Sequence, residues 1–389
     1  YDSQSLRIAA SVIAFIFLIP YTASVYNGLS YLFGMAFDVD FRICVVVMAV
    51  LTGVYVIIGG YMATAWNDLI QGIIMLFGIV AVIAAVLSGH GGFMAAVKEL
   101  AQVPSSVMPG AYASFLGPDP ANLFGVVILT SLGTWGLPQM IQKFYAIKDE
   151  KAVHTGTIIS TLFAIVVSGG CYFLGGFSRI SGVKEAVDGT VKYDTIIPTM
   201  LSSLPDILIG IVIVLVLSAS MSTLSSLVLT SSSTLTLDFI KPLFVKKMNE
   251  KQQLVWMRVL LAGFILISVV IALDPPAFIA QLMGISWGAL AGAFLAPFLY
   301  GLYWKGVTRA AVWASFICGV GITVANMFFR FIASPINAGA FAMVAGLVIV
   351  PVVSLISPKL KKETVEDVFH CLEEKVMVEQ KLALPEEEE

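Results

Sequence analysis

Apolar stretches follow one another from residue 6 to residue 357, separated by short polar connections. A membrane-crossing helix needs about 20 consecutive, mainly apolar residues. By that measure the pattern predicts ten spans, over residues 6–34, 43–63, 66–87, 123–142, 156–176, 206–236, 254–273, 278–303, 310–329 and 341–357. Lipid offers free backbone groups no partner outside helices and closed barrels. The short alternating strands of a barrel are absent from the sequence, so an all-α polytopic bundle is expected over residues 1–357. Two connections are long, at 89–121 and 178–204. Beyond them, residues 358–389 form a tail. In it Val365, Val368, Phe369, Leu372 and Val376 share one helical face, which predicts a short amphipathic helix over residues 363–383.

Composition sharpens this picture. Apolar residues make up 58% and charged residues 12% of the chain, and the mean hydropathy is +0.94. A soluble domain holds about 25% charged residues, so too little polar surface exists here to cover a water-facing globule. A lipid bilayer is therefore an expected partner. A signal peptide occurs once, at an N-terminus, and cannot explain apolar segments that recur throughout. The net charge of −3 hides a division. Residues 363–389 hold ten acids against two lysines, while the rest holds 20 Lys and Arg against 15 acids. Neither part forms the basic patch of a nucleic-acid surface. Cys44, Cys171, Cys318 and Cys371 lack any metal spacing and read as small hydrophobes. The chain begins at Tyr1, so a preceding segment is expected.

Orientation follows from the Lys and Arg bias. Alternate connections hold Arg7; Lys143, Lys148 and Lys151; Lys241, Lys246, Lys247 and Lys251; Lys305 and Arg309; and Lys359, Lys361 and Lys362. These connections, with the C-terminus, are expected on the cytoplasmic side of a plasma (inner) membrane.

Three features carry chemistry. Asp68 stands at the head of an apolar span, where a carboxylate either caps the helix or faces a cavity or an ion. The span after residue 206 turns hydroxyl-rich, with six Ser or Thr among the nine residues from Ser218 to Ser226. Ser218, Ser222 and Ser225 fall on one helical line, and Ala219, Thr223, Ser226, Thr230 and Ser233 on its neighbour. Hydroxyls and carbonyls suit a hard monovalent cation. Helix packing also uses Ser and Thr, and it accounts for the lower residues, Ser231 to Thr236, better than for the upper six. Third, Gly133, Gly136 and Pro138 interrupt a span near Thr130, Thr134 and Trp135. Interrupted helices expose backbone groups to a solute, although a plain proline kink reads the same way in sequence. Tyr21, Tyr26, Asn27, Gln281, Ser286 and Trp287 are weaker candidates. His90, His154 and His370 fall in loops or near span ends and are given no role. No enzyme motif is present, so an enzyme is not expected.

These residues resemble a known family. Gly59-Gly60, Trp66-Asn67-Asp68 and Gln71 resemble the GG…WTD…Q signature of the sodium:solute symporters, with Asn67 in place of the usual Thr. Ala219-Ser-Met-Ser222-Thr223-Leu-Ser225-Ser226 resembles their sodium-site helix. Gly136-Leu-Pro138-Gln, Lys143-Phe and Tyr300-Gly-Leu-Tyr-Trp-Lys305 fit as well. The resemblance implies a leucine-transporter-type inverted-repeat fold working by alternating access, with the family's earlier helices, including the first core helix, preceding this chain. It implies a main Na+ site at the Ala219 carbonyl, Ser222 and Thr223, and a second at Asp68, Ser225 and Ser226. The implied solute pocket lies against Tyr21, Thr130, Thr134, Trp135 and Gln281. Thr134 stands where the family's proline carriers place an aromatic, which disfavours proline, while Gly136-Leu-Pro138 and Ile196-Ile-Pro-Thr199 resemble the pantothenate carriers; a small carboxylate or amino acid, pantothenate first, is expected, with a sugar or sialic-acid-like solute next. A proton-coupled carrier on the same fold, or a membrane sensor, are the alternatives.

Overall fold

The computed structural model describes residues 1–145, 147–180, 193–202 and 204–370; for residues 58–65 and 67 it describes the backbone only. Among these residues every regular element is a helix. The main ones are α1 (Gln4–Phe37), α2 (Phe41–Gly89), α3 (Phe93–Gln102), α4 (Pro120–Leu132), α5 (Pro138–Phe144), α6 (Glu150–Phe163), α7 (Gly169–Gly176) and α8 (Ile196–Leu201). They continue with α9 (Asp206–Thr234), α10 (Lys241–Leu243), α11 (Glu250–Leu273), α12 (Ile279–Tyr303), α13 (Arg309–Phe329), α14 (Pro335–Ile356) and α15 (Lys362–His370).

Among the described residues eight helices are long and apolar enough to cross a membrane, and the count reaches nine if the pair Pro120–Gly136 and Pro138–Phe144, bent by 49°, is one broken span. The tenth expected span is not reached among the described residues. Its apolar helix, Phe41–Ile57, is short and runs into the stretch whose side chains are not described. The tail helix expected over residues 363–383 starts at Lys362 and is described as far as His370, where the Lys305 ammonium lies 5.2 Å from the Phe369 ring. Leu372 and Val376 lie outside the described residues.

Caps mark where helices begin. The Ser3, Asp119, Asp149, Thr308 and Ser334 side chains each accept a bond from the first turn of the helix that follows. Asn249 and Gln252 form a reciprocal capping box on α11. Within the membrane, water drives no apolar association between helices, so close backbone packing holds them. That is how α12, α13 and α14 meet. A Cβ on Gly319 would lie 2.2 Å from the Gly292 carbonyl carbon, so the α12–α13 crossing tolerates no side chain there. Helix α1 lies against α12, with the Ser286 hydroxyl donating to the Phe17 carbonyl. Gly28 approaches Ile279 on the same face, so the two helices run antiparallel.

Candidate functional site

Helix α9 carries the hydroxyl stripe across the bundle. The Ser222 and Thr223 hydroxyls both donate to the Ala219 carbonyl, at 3.0 and 2.9 Å. One turn further on, the Ser225 and Ser226 hydroxyls both donate to the Ser222 carbonyl, each at 3.0 Å. Back-bonding of this kind is ordinary for Ser and Thr in helices. Here it stacks two oxygen tripods in adjacent turns. Ser225 is buried, while Ala219, Ser222, Thr223 and Ser226 are half-buried.

The segment of α2 that follows Asp68 packs antiparallel to α9. Gly78 faces Leu215 at one end of the contact. At the other, Asp68 pairs with Lys143 and the neighbouring Gln142 accepts a bond from Thr230 at 2.9 Å. Counting back from Gly78 and forward from Leu215, Asp68 falls level with Ser225 and Gln71 level with Ser222. Leu215, Ala219, Ser222 and Ser226 share one face of α9, and Gly78, Gln71 and Asp68 lie on the facing side of α2.

Asp68 has a partner that sequence reasoning missed. Its Oδ2 lies 3.5 Å from the Lys143 ammonium, which is half-exposed, whereas its Oδ1 is buried and unpartnered among the described residues. In the sequence Lys143 marks orientation and the family resemblance but no partner for Asp68. The available signal was the spacing of Gln139, Gln142 and Lys143, which gives the short helix α5 one polar face.

The interrupted span seats against α12. Helix α4 ends at Leu132, a 3₁₀ turn covers Gly133–Gly136, and Pro138 opens α5. A Cβ on Gly136 would lie 2.7 Å from the Ala291 Cα, so glycine is required where the break touches α12. Trp287 joins the parts expected to meet solute. Its ring is edge-on to Tyr21 at 5.6 Å, and its Cε3 lies 3.4 Å from where a Gly133 Cβ would stand. Thr130 and Thr134 flank that glycine, their hydroxyls bonded to the Val126 and Ser131 carbonyls. Trp135 is 55% exposed. Gln281 sits in the first turn of α12, about 9 Å along the axis from Trp287. The structure thus sets Trp287 against Tyr21 and against Gly133, the glycine between Thr130 and Thr134 in sequence.

A cavity of about 1210 Å³ opens beyond the stripe, between the start of α1, α5, α12 and the π turn that follows α9. Arg7, Gln142, Thr234, Asp238, Lys241 and Lys246 line it, and Arg7 lies 3.8 Å from Asp238 across it.

A sequence model of the sodium:solute symporter family matches residues 1–319. The chain belongs to that family. Over 290 residues it is 29% identical to the sodium/pantothenate symporter of Haemophilus influenzae, covering 73% of this chain and 58% of the relative. It is 26% identical to the osmoregulated proline transporter OpuE of Bacillus subtilis, covering 93% of this chain and 72% of that protein. The Staphylococcus aureus sodium/proline symporter is also 26% identical, with 92% and 70% covered. The chain thus spans between about three-fifths and three-quarters of these relatives' lengths. Among solved structures, the substrate-bound, outward-open state of a Na+-coupled sialic acid symporter aligns with a TM-score of 0.69 at 16% identity. It covers 92% of this chain and 76% of that one. The expected leucine-transporter-type helical bundle is therefore the fold of this symporter-family chain.

Proposed function

We propose that the protein is a secondary active transporter in the plasma membrane that couples sodium entry to uptake of a small organic solute by alternating access. What supports this reading is the pair of oxygen tripods on α9, the second of them level with Asp68 by the helix register counted from the Gly78–Leu215 contact. The donor set suits a sodium cargo. The oxygens are hard, and the carboxylate Oδ1 has no competing partner among the described residues. The Ala219 carbonyl with Ser222 and Thr223 would hold one ion. Asp68 with Ser225 and Ser226 would hold a second. Rotating the hydroxyl protons away from the helix carbonyls turns oxygen lone pairs toward the ion at little cost.

The solute would lie at the helix break, with Tyr21, Thr130 and Thr134 around Trp287. Trp135 and Gln281 would contribute only if the break moves. Pantothenate is the first compound to test, because one of the relatives is a sodium/pantothenate symporter. The lysine-rich connections support a cytoplasmic C-terminus.

Uptake by the protein in sealed vesicles tests this reading. A sodium gradient should drive accumulation of a small carboxylate or amino acid, an equal potassium gradient should not, and Ser222→Ala should raise the sodium concentration for half-maximal uptake at least tenfold. Equal uptake in both salts would refute it. A second reading, proton coupling through Asp68, is opposed by the Lys143 ammonium, which stabilises the ionised carboxylate. It requires uptake driven by a pH gradient without sodium.

A further inference from the structure

The cavity beyond the stripe carries positive charge that nothing above uses. Its walls hold two acids, Asp2 and Asp238, and three cations, Arg7, Lys241 and Lys246. Arginines already answer both acids. Asp238 lies 3.8 Å from Arg7, and Asp2 lies 3.4 Å from Arg309. Lys241 and Lys246 have no ion pair among the described residues, so their charge is unanswered. Gln142 adds a donor. The Thr230 hydroxyl takes its amide oxygen at 2.9 Å, which leaves the N–H2 group to donate.

Another wall is apolar. Phe294, Pro297 and Phe298 of α12 and Phe316 of α13 form it. The Tyr1 hydroxyl beside them is spent on the Pro297 carbonyl at 2.6 Å. Pockets for small organic molecules have this make-up, mostly apolar with a few polar groups, in about 300–1,000 Å³. At about 1210 Å³ the cavity has room for such a molecule and some water. A cleft with surplus charge of one sign concentrates ions of the other. Ammonium groups on flexible stems follow a carboxylate without needing a fixed geometry. None of the residues assigned above to sodium or to the solute at the break is among those lining this cavity.

We propose that the cavity is a second binding site, for small organic monocarboxylates, with Lys241 and Lys246 holding the carboxylate and the α12 wall holding the apolar body. Asp238 competes for the same cations and is kept from them by Arg7. The cavity opens at the lysine-rich end of the bundle, so the anion enters from that side. Once bound, it stands between the start of α1 and the helix break and opposes their closing. Carboxylate that has collected on that side therefore slows the next cycle. This role, though not the binding itself, rests on the sodium-coupled reading.

Binding is tested with phenylbutyrate as the probe, by ligand-observed NMR on the whole protein in phosphatidylcholine nanodiscs without sodium, with empty nanodiscs as the blank. These lipids bring no net negative headgroup to the site. The neutral phenylbutyramide should bind at least tenfold more weakly. Lys241→Gln combined with Lys246→Gln should weaken phenylbutyrate at least fivefold, whereas Lys241→Arg with Lys246→Arg should stay within twofold of the parent. Asp238→Asn should tighten binding at least threefold, because it frees Arg7. Lys361→Gln with Lys362→Gln removes two lysines that do not line the cavity and should change affinity less than twofold. Equal binding of acid and amide would overturn the site. So would parent-like affinity in a folded Lys241 and Lys246 glutamine pair, or an equal loss in the Lys361 and Lys362 pair. If the first pair does not fold, Asp238→Asn decides, and affinity no tighter than the parent's overturns the site. The role is tested in sealed vesicles with the lysine-rich face inside. Phenylbutyrate loaded inside should slow sodium-driven uptake at least threefold in the parent and not in the Lys241 and Lys246 glutamine pair. Equal slowing in both, or none in either, would remove the role. If no uptake follows the sodium gradient, the coupling reading falls and the binding result stands by itself.

Discussion

Single residues act here mainly through how closely backbones approach. Gly319 shows this at the α12–α13 crossing, where an added Cβ would also stand 2.4 Å from the Ala293 nitrogen. Backbone cannot step aside as a flexible side chain can. Gly319→Ala is therefore expected to cost about 1–3 kcal/mol by overpacking. Gly321, two residues on, has open space around its Cβ position. Gly321→Ala should be neutral or stabilising by up to about 1 kcal/mol, because alanine favours the helix. Melting temperatures of both variants in the same lipid decide it, and equal effects would show that the crossing is not tight. The hydroxyls divide in the same way. Ser222 helps build both tripods, whereas Ser233 only bonds back to the Thr230 carbonyl, below the region level with Asp68. Ser222→Ala should weaken sodium dependence at least tenfold and Ser233→Ala less than twofold, read as the sodium concentration for half-maximal uptake.

Elements depend on how their ends are held. The start of α12 is held from another part of the chain: the Asp194 carboxylate accepts the Ile279 N–H at 3.0 and 3.2 Å. Burial pushes the Asp194 carboxyl above the usual carboxylate range, and the Ile279 bond only partly opposes this. A raised folded value means that the folded state holds the proton more tightly than the unfolded chain. The resulting stabilisation is complete below the ordinary carboxylate range and is lost as pH rises through the raised value. Asp194→Asn keeps an acceptor without the charge, so its melting temperature at neutral pH should equal or exceed the parent's. Asp194→Ala loses the cap and should be less stable by about 1 kcal/mol. If Asn and Ala melt alike, the bond does not hold the helix. At this scale the sequence was legible where the signal is local. Gly133, Gly136 and Pro138 announced the break, and Ser218 to Ser226 announced the stripe. Lys143 beside Asp68 was not legible, because the two are 75 residues apart and meet only through tertiary packing. Nor was Trp287 as the contact between Tyr21 and the break, since an aromatic among small residues reads as core. The exposure of Trp135 follows from the 3₁₀ turn, which changes the residue's direction from that of a continuous helix.

The whole molecule turns these local parts into linkage between an ion and the fold. Hydropathy alone fixed the all-helical class, because lipid leaves so few alternatives. The count of ten is not confirmed among the described residues, where the apolar helix Phe41–Ile57 is short. The oxygens proposed to hold sodium come from α9 and α2, and α5 closes the group through Gln142 and Lys143. An ion bound there adds a further tie between α2 and α9, so occupancy should stabilise the bundle as a unit. At about 100 times its dissociation constant, a ligand specific to the folded state adds about 2.7 kcal/mol. Sodium should therefore raise the melting temperature over equal potassium, by a shift that grows with the logarithm of concentration above the dissociation constant. Simple screening by salt acts alike for both cations, and so it cannot imitate this. Asp68→Asn should retain part of the shift, because the Ala219, Ser222 and Thr223 tripod does not use the carboxylate. Ser222→Ala combined with Asp68→Asn should abolish it. A full shift surviving in the double variant would place the ion elsewhere in the bundle and remove α9 from the coupling mechanism.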